Sequence, residues 1–224
     1  AAFLSKVKDY TSSAAEVDVK GFLDAMLMAD WKQALIARGL GWAVEVGTLT
    51  TPIVGGGAGT VLDLEQPELA INVPSGYAMV PLRIATECQI GLQTTDAHEN
   101  EIWFGVDRTQ IQTAGTSTAE TPTNMRTDIV AAAPFTVFSA YTADGLATPV
   151  ISTTLARKQA VTDLQGIAAN LNVYQFDLVY EPLNPPIIIG PAHIAVYWGG
   201  DIALPGFAQA FVLAFPSSLV TGLS

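Results

Sequence analysis

Residues 77–84 read YAMVPLRI, and every second side chain from Val80 through Leu82 to Ile84 is large and apolar. Side chains along a β-strand alternate between the two faces of its sheet, so this spacing predicts a strand with these three side chains on one face. Residues 174–180, which read YQFDLVY, repeat the pattern with aromatic and aliphatic side chains at alternate positions. The two stretches together indicate a fold built mainly from half-buried strands.

Strand patterns continue over most of the chain and are separated by short segments rich in glycine and proline. The predicted strands cover residues 42–47, 60–64, 69–73, 77–93, 101–107, 129–141, 148–156, 173–181, 187–198 and 207–215. A short helix is predicted over residues 158–169. About eight to ten strands with few helices are typical of an all-β protein, and the long connections favour a jelly-roll-type antiparallel β-sandwich.

One amphipathic helix is predicted before the first strand. Asp18 is suited to cap its N-terminus and Gly39 to end it. Apolar side chains between them recur at the spacing of one helix face. This apolar stripe consists of Val19, Phe22, Leu23, Met26, Leu27, Trp31 and Leu35. The stripe packs either on the domain's own sheet or on another subunit, and we take it as a candidate interface. Residues 1–40 are therefore predicted to form an arm and helix, and residues 41–224 a single β-sandwich domain.

The charge balance is strongly acidic. The 224 residues include 10 Lys and Arg against 21 Asp and Glu, a formal net charge of −11. Only 14% of the residues are charged, which excludes a disordered chain because disordered segments are polar and rich in charge. No lysine or arginine lies between Gly39 and Leu82 or after Lys158. Nucleic-acid binding needs clustered cations that displace counterions from phosphates, so no direct contact with nucleic acid is expected.

The sequence offers little for a disulfide or a membrane anchor. Cys88 is the only cysteine and lies in an apolar run, so we expect a buried, unreactive thiol. The longest apolar stretch, residues 186–215, is divided by a Gly-Gly-Asp sequence at 199–201. A transmembrane helix needs about 20 consecutive apolar residues, so no transmembrane segment is predicted. The first residues lack the apolar core of a signal peptide.

One short segment gathers side chains that bind metal ions. Asp96, His98, Glu99 and Glu101 supply three carboxylates and one of the two histidines. Hard cations prefer several oxygen ligands, but the spacing matches neither an EF-hand loop nor a zinc enzyme. A solvated turn is the competing interpretation. We keep these four residues as candidate metal ligands and otherwise expect no cofactor.

The sequence shows no constellation of catalytic residues. The glycine-rich segment 55–59 lacks the Lys-Ser/Thr of a P-loop, and His193 lies in an apolar strand as an expected structural residue. Two histidines and one cysteine give nucleophilic triads few ways to assemble. We therefore expect no catalytic residues and a protein that is not an enzyme. Residues 110–123, rich in threonine and small side chains, are expected to form an exposed loop or a contact with a neighbouring subunit.

Two longer stretches resemble a known class of proteins. Residues 72–84 read NVPSGYAMVPLRI, and residues 185–191 read PPIIIGP and run on to VYWGG at 196–200 and GFAQ at 206–209. In both, a small Pro/Gly turn leads into a long apolar strand. This order resembles the single jelly-roll major capsid proteins of tailless icosahedral viruses of bacteria and archaea. The resemblance implies a shell-forming subunit that makes trimers or larger capsomers and contacts its neighbours through its arm and loops.

The sequence therefore predicts a structural virion protein, a capsid subunit whose main partners are copies of itself, with other virion proteins as further partners. High apolar content and few charges suit a chain that buries surface in its own core and again against its neighbours. A secreted or surface β-sandwich module that binds carbohydrate or acts as an adhesin is the alternative. An enzyme on a β scaffold, such as a cupin, is a third reading and would need clustered histidine and carboxylate ligands.

Overall fold

The computed structural model describes residues 31–55, 62–90, 98–143, 149–162, 174–200 and 204–221. Two antiparallel sheets enclose one apolar core, so the predicted all-β sandwich is confirmed. The elements are α1 (Trp31–Ala37), β1 (Gly41–Val46), β2 (Ile53–Val54), β3 (Leu69–Val73), β4 (Tyr77–Ile90), β5 (His98–Asp107), β6 (Thr118–Glu120), β7 (Thr123–Asn124), β8 (Val137–Ser139), β9 (Ile151–Thr162), β10 (Tyr174–Tyr180), β11 (Ile188–Ile189), β12 (Ala192–Gly200), β13 (Pro205–Pro216) and α2 (Ser218–Thr221). Neither helix, nor any other in the described residues, is long and apolar enough to span a membrane.

The strands divide into a seven-stranded and a six-stranded sheet. The first has the order β10-β4-β13-β1-β7, and β11 and β2 add to its edges by pairing with β4 and β13. The second has the order β6-β8-β3-β12-β5-β9. Every strand pair in the two sheets is antiparallel.

The long strands pair in a nested order. Eight described strands have five or more residues, namely β1, β3, β4, β5, β9, β10, β12 and β13. The first of these pairs with the eighth, the second with the seventh, the third with the sixth and the fourth with the fifth. Two further pairings, β13 with β4 and β12 with β5, join these pairs into the two sheets. The chain therefore behaves as a two-stranded ribbon folded over on itself.

The space between the sheets is filled by large apolar side chains. Phe104 and Trp198 of the six-stranded sheet and Phe176 of the other are fully buried in one cluster. At the opposite side of the sandwich, the rings of Trp42 and Phe135 meet edge to face with centroids 6.0 Å apart. Aromatic side chains bury more area than other residues, so these contacts supply much of the driving force for folding.

A β-bulge in β4 changes which side chains share a face. Leu82 is an extra residue, because its neighbours Pro81 and Arg83 pair with successive residues of β13. Val80 and Leu82 pack on the outer face of the sheet, whereas Ile84 belongs to the core between the sheets. The prediction that these three side chains share one face is therefore wrong for Ile84. A proline within a sheet is found mainly at such irregular positions, because it has no N–H to donate.

The two helices cover the outer face of the seven-stranded sheet. Leu35 and Ile36 of α1 and Val220 of α2 pack against an apolar cluster on that face. The buried members of this cluster are Ala78, Val80, Leu82, Leu213 and Phe215. Both faces of β4 and β13 are thus apolar in this region, which explains their nearly continuous apolar sequence.

The edge strands of the two sheets meet at a lysine. The Lys158 ammonium of β9 donates hydrogen bonds to the backbone oxygen of Asp177 at 2.7 Å and to its carboxylate at 3.3 Å. The same ammonium lies 5.1 Å from the centre of the Phe176 ring. This side chain links the β9 and β10 edges, and it places charge on edges that would otherwise favour unwanted strand pairing.

Three predicted segments differ from the structure. The described part of the predicted helix 158–169 is strand, because β9 pairs with β5 through Thr162. The described part of the predicted strand 60–64 forms no strand, and within the predicted strand 129–141 only Val137–Ser139 is one. In each segment, the presence or absence of a partner strand determines whether a strand forms. Local propensity does not reveal that partner.

Candidate functional site

A cleft of about 520 Å³ opens at one end of the six-stranded sheet. Its volume lies within the range of about 300–1,000 Å³ that is typical of small-molecule sites. The lining residues are Leu62, Leu64, Glu99, Asn100, Glu101, Trp103, Arg157, Gln159, Ala160, Val161 and Gly200. Because β5 and β9 pair in register, Trp103 lies opposite Arg157 and Glu101 opposite Gln159. The cleft therefore combines an apolar wall with polar groups from neighbouring strand positions. These are the carboxylates of Glu99 and Glu101, the amides of Asn100 and Gln159, and the guanidinium of Arg157.

Arg157 and Trp103 are in direct contact in this cleft. The guanidinium carbon of Arg157 lies 4.9 Å from the centre of the Trp103 ring, and the group also pairs with the Glu101 carboxylate. The hydrogen bond to Glu101 raises the pKa of Arg157 further above its usual value. Beside Trp103 lies Tyr197, with ring centroids 6.0 Å apart, and the indole N–H donates to the Thr154 hydroxyl at 3.1 Å. The indole is therefore engaged by its own chain on several sides.

The segment before β3 forms one wall of the cleft. Leu62 packs on Ala195 and Tyr197 of β12, and Leu64 packs against the same cluster. The Tyr197 hydroxyl donates a hydrogen bond to the Leu64 backbone oxygen at 2.9 Å. Burial and nearby carboxylates raise the pKa of Tyr197, so this phenol stays protonated and serves as a fixed donor.

The structure describes the side chains of two of the four candidate metal ligands, Glu99 and Glu101. Asp96 and the side chain of His98 lie outside the described residues. Glu99 is exposed at the cleft, and Glu101 is ion-paired with Arg157. Within the described ranges, no three His, Cys, Asp or Glu side chains are close enough to hold a metal ion. A cation site at these residues stays a prediction.

A second polar cluster is buried on the outer face of the six-stranded sheet. Asn72, His193 and Asp107 form one row across β3, β12 and β5, and each is at most 2% exposed. The Asn72 amide donates to the Gln112 backbone oxygen at 2.7 Å and to the Thr136 hydroxyl at 3.0 Å. It also accepts from the Gln112 backbone N–H at 2.8 Å. Asn72 thus binds the Gln112 backbone as a paired strand would.

Asp107 fastens the two ends of the long connection between β5 and β9. Its carboxylate accepts hydrogen bonds from the Thr109 N–H at 2.7 Å, the Thr109 hydroxyl at 2.6 Å and the Val150 N–H at 2.9 Å. Burial alone would raise the pKa of Asp107, but these bonds and one from Gln110 hold it below its usual value. The predicted loop 110–123 is therefore tied to the sheet, and it contains the short strand β6.

His193 is held in one tautomer. Its Nδ1 lies 2.9 Å from the Gln110 backbone oxygen, and a carbonyl only accepts, so Nδ1 carries the proton. Nε2 is buried and has no hydrogen-bond partner among the described residues. Burial lowers the pKa of His193, and the bond to Gln110 and the charge of Asp107 oppose this shift without reversing it. The expected structural role of His193 agrees with this geometry.

We expect His193 to make folding sensitive to mild acid. Because its pKa is lower in the folded than in the unfolded chain, the unfolded chain binds the proton first as the pH falls below about 6.5. The His193 contribution to stability is therefore complete above that pH and is lost below it, with a slope that approaches about 1.4 kcal/mol per pH unit for one proton. Urea unfolding between pH 7 and pH 4.5 measures this slope.

The substitution His193→Gln should flatten this slope, and His98→Gln, at the only other histidine, is the matched control. Titration of Asp107 does not interfere, because its lowered pKa places its own contribution at more acidic pH. Equal slopes for the wild type and His193→Gln would contradict the assignment.

The structure describes two of the seven residues of the predicted interface. Trp31 is 48% exposed at the start of α1, and Leu35 packs on the outer face of the chain's own sheet. The remaining five, Val19, Phe22, Leu23, Met26 and Leu27, lie outside the described residues. Of the two partners predicted for the apolar stripe, the domain's own sheet and another subunit, the position of Leu35 fits the domain's own sheet.

Cys88 is buried between the sheets, as expected from its apolar run. Burial, with smaller effects from Glu68 and Glu87, raises the pKa of its thiol. A thiol reacts as the thiolate, so Cys88 is held in its unreactive form. A Cβ at Gly206 would lie 2.9 Å from its sulfur, which shows how closely the thiol is packed.

Sequence reasoning missed the cleft residues Trp103 and Arg157 and the anchoring role of Asn72. One sequence feature marks part of the cleft, because Arg157 and Lys158 are the only adjacent basic residues in the chain. Their partners lie on strands far away in sequence, which local patterns do not reveal.

Comparisons with protein-family models, curated proteins and solved structures give no significant match.

Proposed function

We propose that this chain is a structural virion protein, a capsid subunit that assembles into a closed shell through repeated contacts with copies of itself. The observation that carries the proposal is the nested pairing of the eight long strands. Two sheets made from eight strands paired in this order support a jelly roll, a double-sheet arrangement used by viral capsid proteins, lectins and cupins.

The filled interior favours a structural role over an enzyme on the same scaffold. A jelly-roll metalloenzyme needs polar ligands that converge between the sheets. In the described residues that space is filled mainly by apolar side chains, of which Phe104, Phe176 and Trp198 are the largest. The buried polar side chains beside them are Glu68, Thr86 and Asn100, and Glu68 is engaged by the Trp198 backbone N–H at 2.9 Å. The buried polar row of Asn72, His193 and Asp107 lies on the outer face and is occupied by its own loop.

The surface also favours contact with other protein molecules. Val130 and Leu183 are 97% and 84% exposed, and both lie in described segments outside the helices and strands. Val130 is followed by Ala131 and Ala132, which are exposed as well. Consecutive exposed apolar residues are unfavourable in water and are characteristic of surfaces that become covered by a partner.

We expect the purified chain to associate as its concentration rises. Light scattering across a concentration series should show a mass of about three times that of the single chain or more, because closed assemblies grow by symmetric contacts. Electron microscopy of the concentrated sample should show particles or regular capsomers. A single chain at every concentration, salt and pH tested would overturn the proposal.

The cleft favours one second candidate, a surface module that binds a small ligand such as a carbohydrate. Sugars bind by stacking on a bare aromatic ring, and Trp103 is the aromatic side chain that lines the cleft. Its ring is already contacted by Arg157 and Tyr197, which leaves less of it for a sugar. Binding to a glycan array, abolished by Trp103→Ala in a monomeric protein, would favour this candidate over the capsid subunit.

A further inference from the structure

The sandwich has two ends that differ in chemistry. One end contains the turn at residues 74–76, and we call it the turn end. At this end β3 and β5 finish and β9 and β12 begin. The cleft end is the opposite one, where the cleft opens and where β5 and β13 begin. Strand register defines both ends, since Val73 pairs with Ala192 at the turn end and Gly200 pairs with Asn100 at the cleft end.

Arginines dominate the exposed charges of the turn end. Arg38 follows α1, Arg108 follows β5 and donates to the Thr153 hydroxyl at 3.0 Å, and Arg126 donates to the Ala37 backbone oxygen at 2.9 Å. Asp128 is the one exposed carboxylate that the described residues place here, and it pairs with Arg126 at 2.8 Å. This end therefore carries an excess of positive charge.

Carboxylates dominate the cleft end. Those in the described residues that reach the surface are Glu45, Asp63, Glu65, Glu87, Glu99, Glu101 and Asp177, and Glu68 is buried beside Trp198. The cations there, in the same described part of the chain, are Arg157 and Lys158, and each is already paired with a carboxylate of this group. Arg83 and Glu181 pair with each other between the two ends. Most of the negative charge that the structure describes is thus concentrated at one end.

Both ends also expose aliphatic side chains. At the turn end these are Ile111, Val130, Val150, Ile187 and Ile189, which are between 40% and 97% exposed. At the cleft end they are Leu49, Val54 and Val161, and the walls of the cleft itself include Leu62 and Leu64. Each end therefore offers apolar surface together with a charge that attracts the other.

We propose that copies of this chain associate head to tail, with the turn end of one copy seated on the cleft end of the next. This inference rests on the proposed function, because it names the contact through which a self-assembling subunit would bind its neighbour. Two cleft ends repel each other and two turn ends do so more weakly, whereas the unlike pair is attractive and covers aliphatic surface on both sides. A head-to-tail contact repeats around a ring when its rotation closes.

Charge-reversed variants test this contact. Arg38→Glu/Arg108→Glu makes the turn end acidic, and Glu99→Lys/Gln159→Lys makes the lining of the cleft basic, because Arg157 then faces solvent beside two lysines and one carboxylate, Glu101. We expect each variant alone to associate at least about tenfold more weakly than the wild type, because like charges then face each other. The two variants change the net charge of the chain in opposite directions, so an effect of net charge alone cannot weaken both.

An equimolar mixture of the two variants should recover association, since every turn end then finds a cleft whose lining has the opposite charge. Sedimentation velocity measures these association constants, and circular dichroism and thermal unfolding check that both variants are folded. Wild-type association should also weaken as salt rises, because salt screens charges that face solvent.

The outcomes separate the two proposals. A wild type that associates while both folded variants associate equally well would overturn the head-to-tail contact and leave the capsid subunit standing. Failure of the mixture to recover association would also overturn that contact. A wild type that never associates would overturn both.

Discussion

Replacing Trp198 by alanine is expected to lower the free energy of unfolding by about 3–5 kcal/mol. Trp198 is fully buried and belongs to the cluster that fills the space between the sheets. Its indole N–H also donates to the Ile53 backbone oxygen at 3.3 Å, which ties β2 to the other sheet. The substitution removes the largest fully buried side chain and leaves a cavity that rigid strands on both sides cannot close.

Urea unfolding followed by circular dichroism measures this loss, and Trp31→Ala is the matched control. Trp31 is 48% exposed, so the same substitution there should cost less than about 1 kcal/mol. Equal effects at the two tryptophans would contradict the position of Trp198 between the sheets.

Replacing Asn72 by alanine is expected to lower the free energy of unfolding by about 2–4 kcal/mol, because it leaves two buried backbone groups without partners. The Asn72 amide binds both the N–H and the carbonyl of Gln112, and it also donates to the Thr136 hydroxyl. Gln112 is 1% exposed, so water cannot take the place of the lost amide. The loop that begins after β5 should then detach from the sheet before the core unfolds.

Asn124→Ala is the control for this prediction. Asn124 also binds two backbone groups, the Gly39 oxygen at 2.8 Å and the Arg126 N–H at 2.9 Å, but these groups lie closer to solvent. Water can replace its amide, so we expect a loss below about 1 kcal/mol. Hydrogen exchange should show early opening of residues 108–117 in Asn72→Ala alone, and unchanged exchange there would refute the anchoring role.

The sequence predicted the strands best where one face meets the core and the other meets solvent. In β10, Phe176, Leu178 and Tyr180 share the core side as their spacing predicts, and residues 69–73 form a strand with the bounds expected although both of its faces are buried. The pattern failed in β4, where the bulge at Leu82 reversed the face of Ile84. The alternation of apolar residues continues through the bulge from Val80 to Ile84, so periodicity alone cannot locate the extra residue.

The cleft and the buried polar row could not be predicted because their members come from separate strands. Trp103 meets Arg157 only because β5 pairs with β9, and Asn72 meets His193 only because β3 pairs with β12. The apolar strand predicts a structural role for His193, and its burial agrees with that prediction. Its anchoring bond to Gln110 depends on a loop path that no local pattern specifies.

The pairing of β1 with β13 has a consequence for synthesis on the ribosome. β13 occupies the centre of the seven-stranded sheet, and it ends at Pro216 of a chain of 224 residues. The sheet therefore cannot close until β13 has been translated, long after β1, and folding must wait for contacts between segments that are far apart in sequence. A nascent chain that lacks β13 thus leaves the edges of β1 and β4 unpaired, so the seven-stranded sheet forms only after β13 has been synthesised.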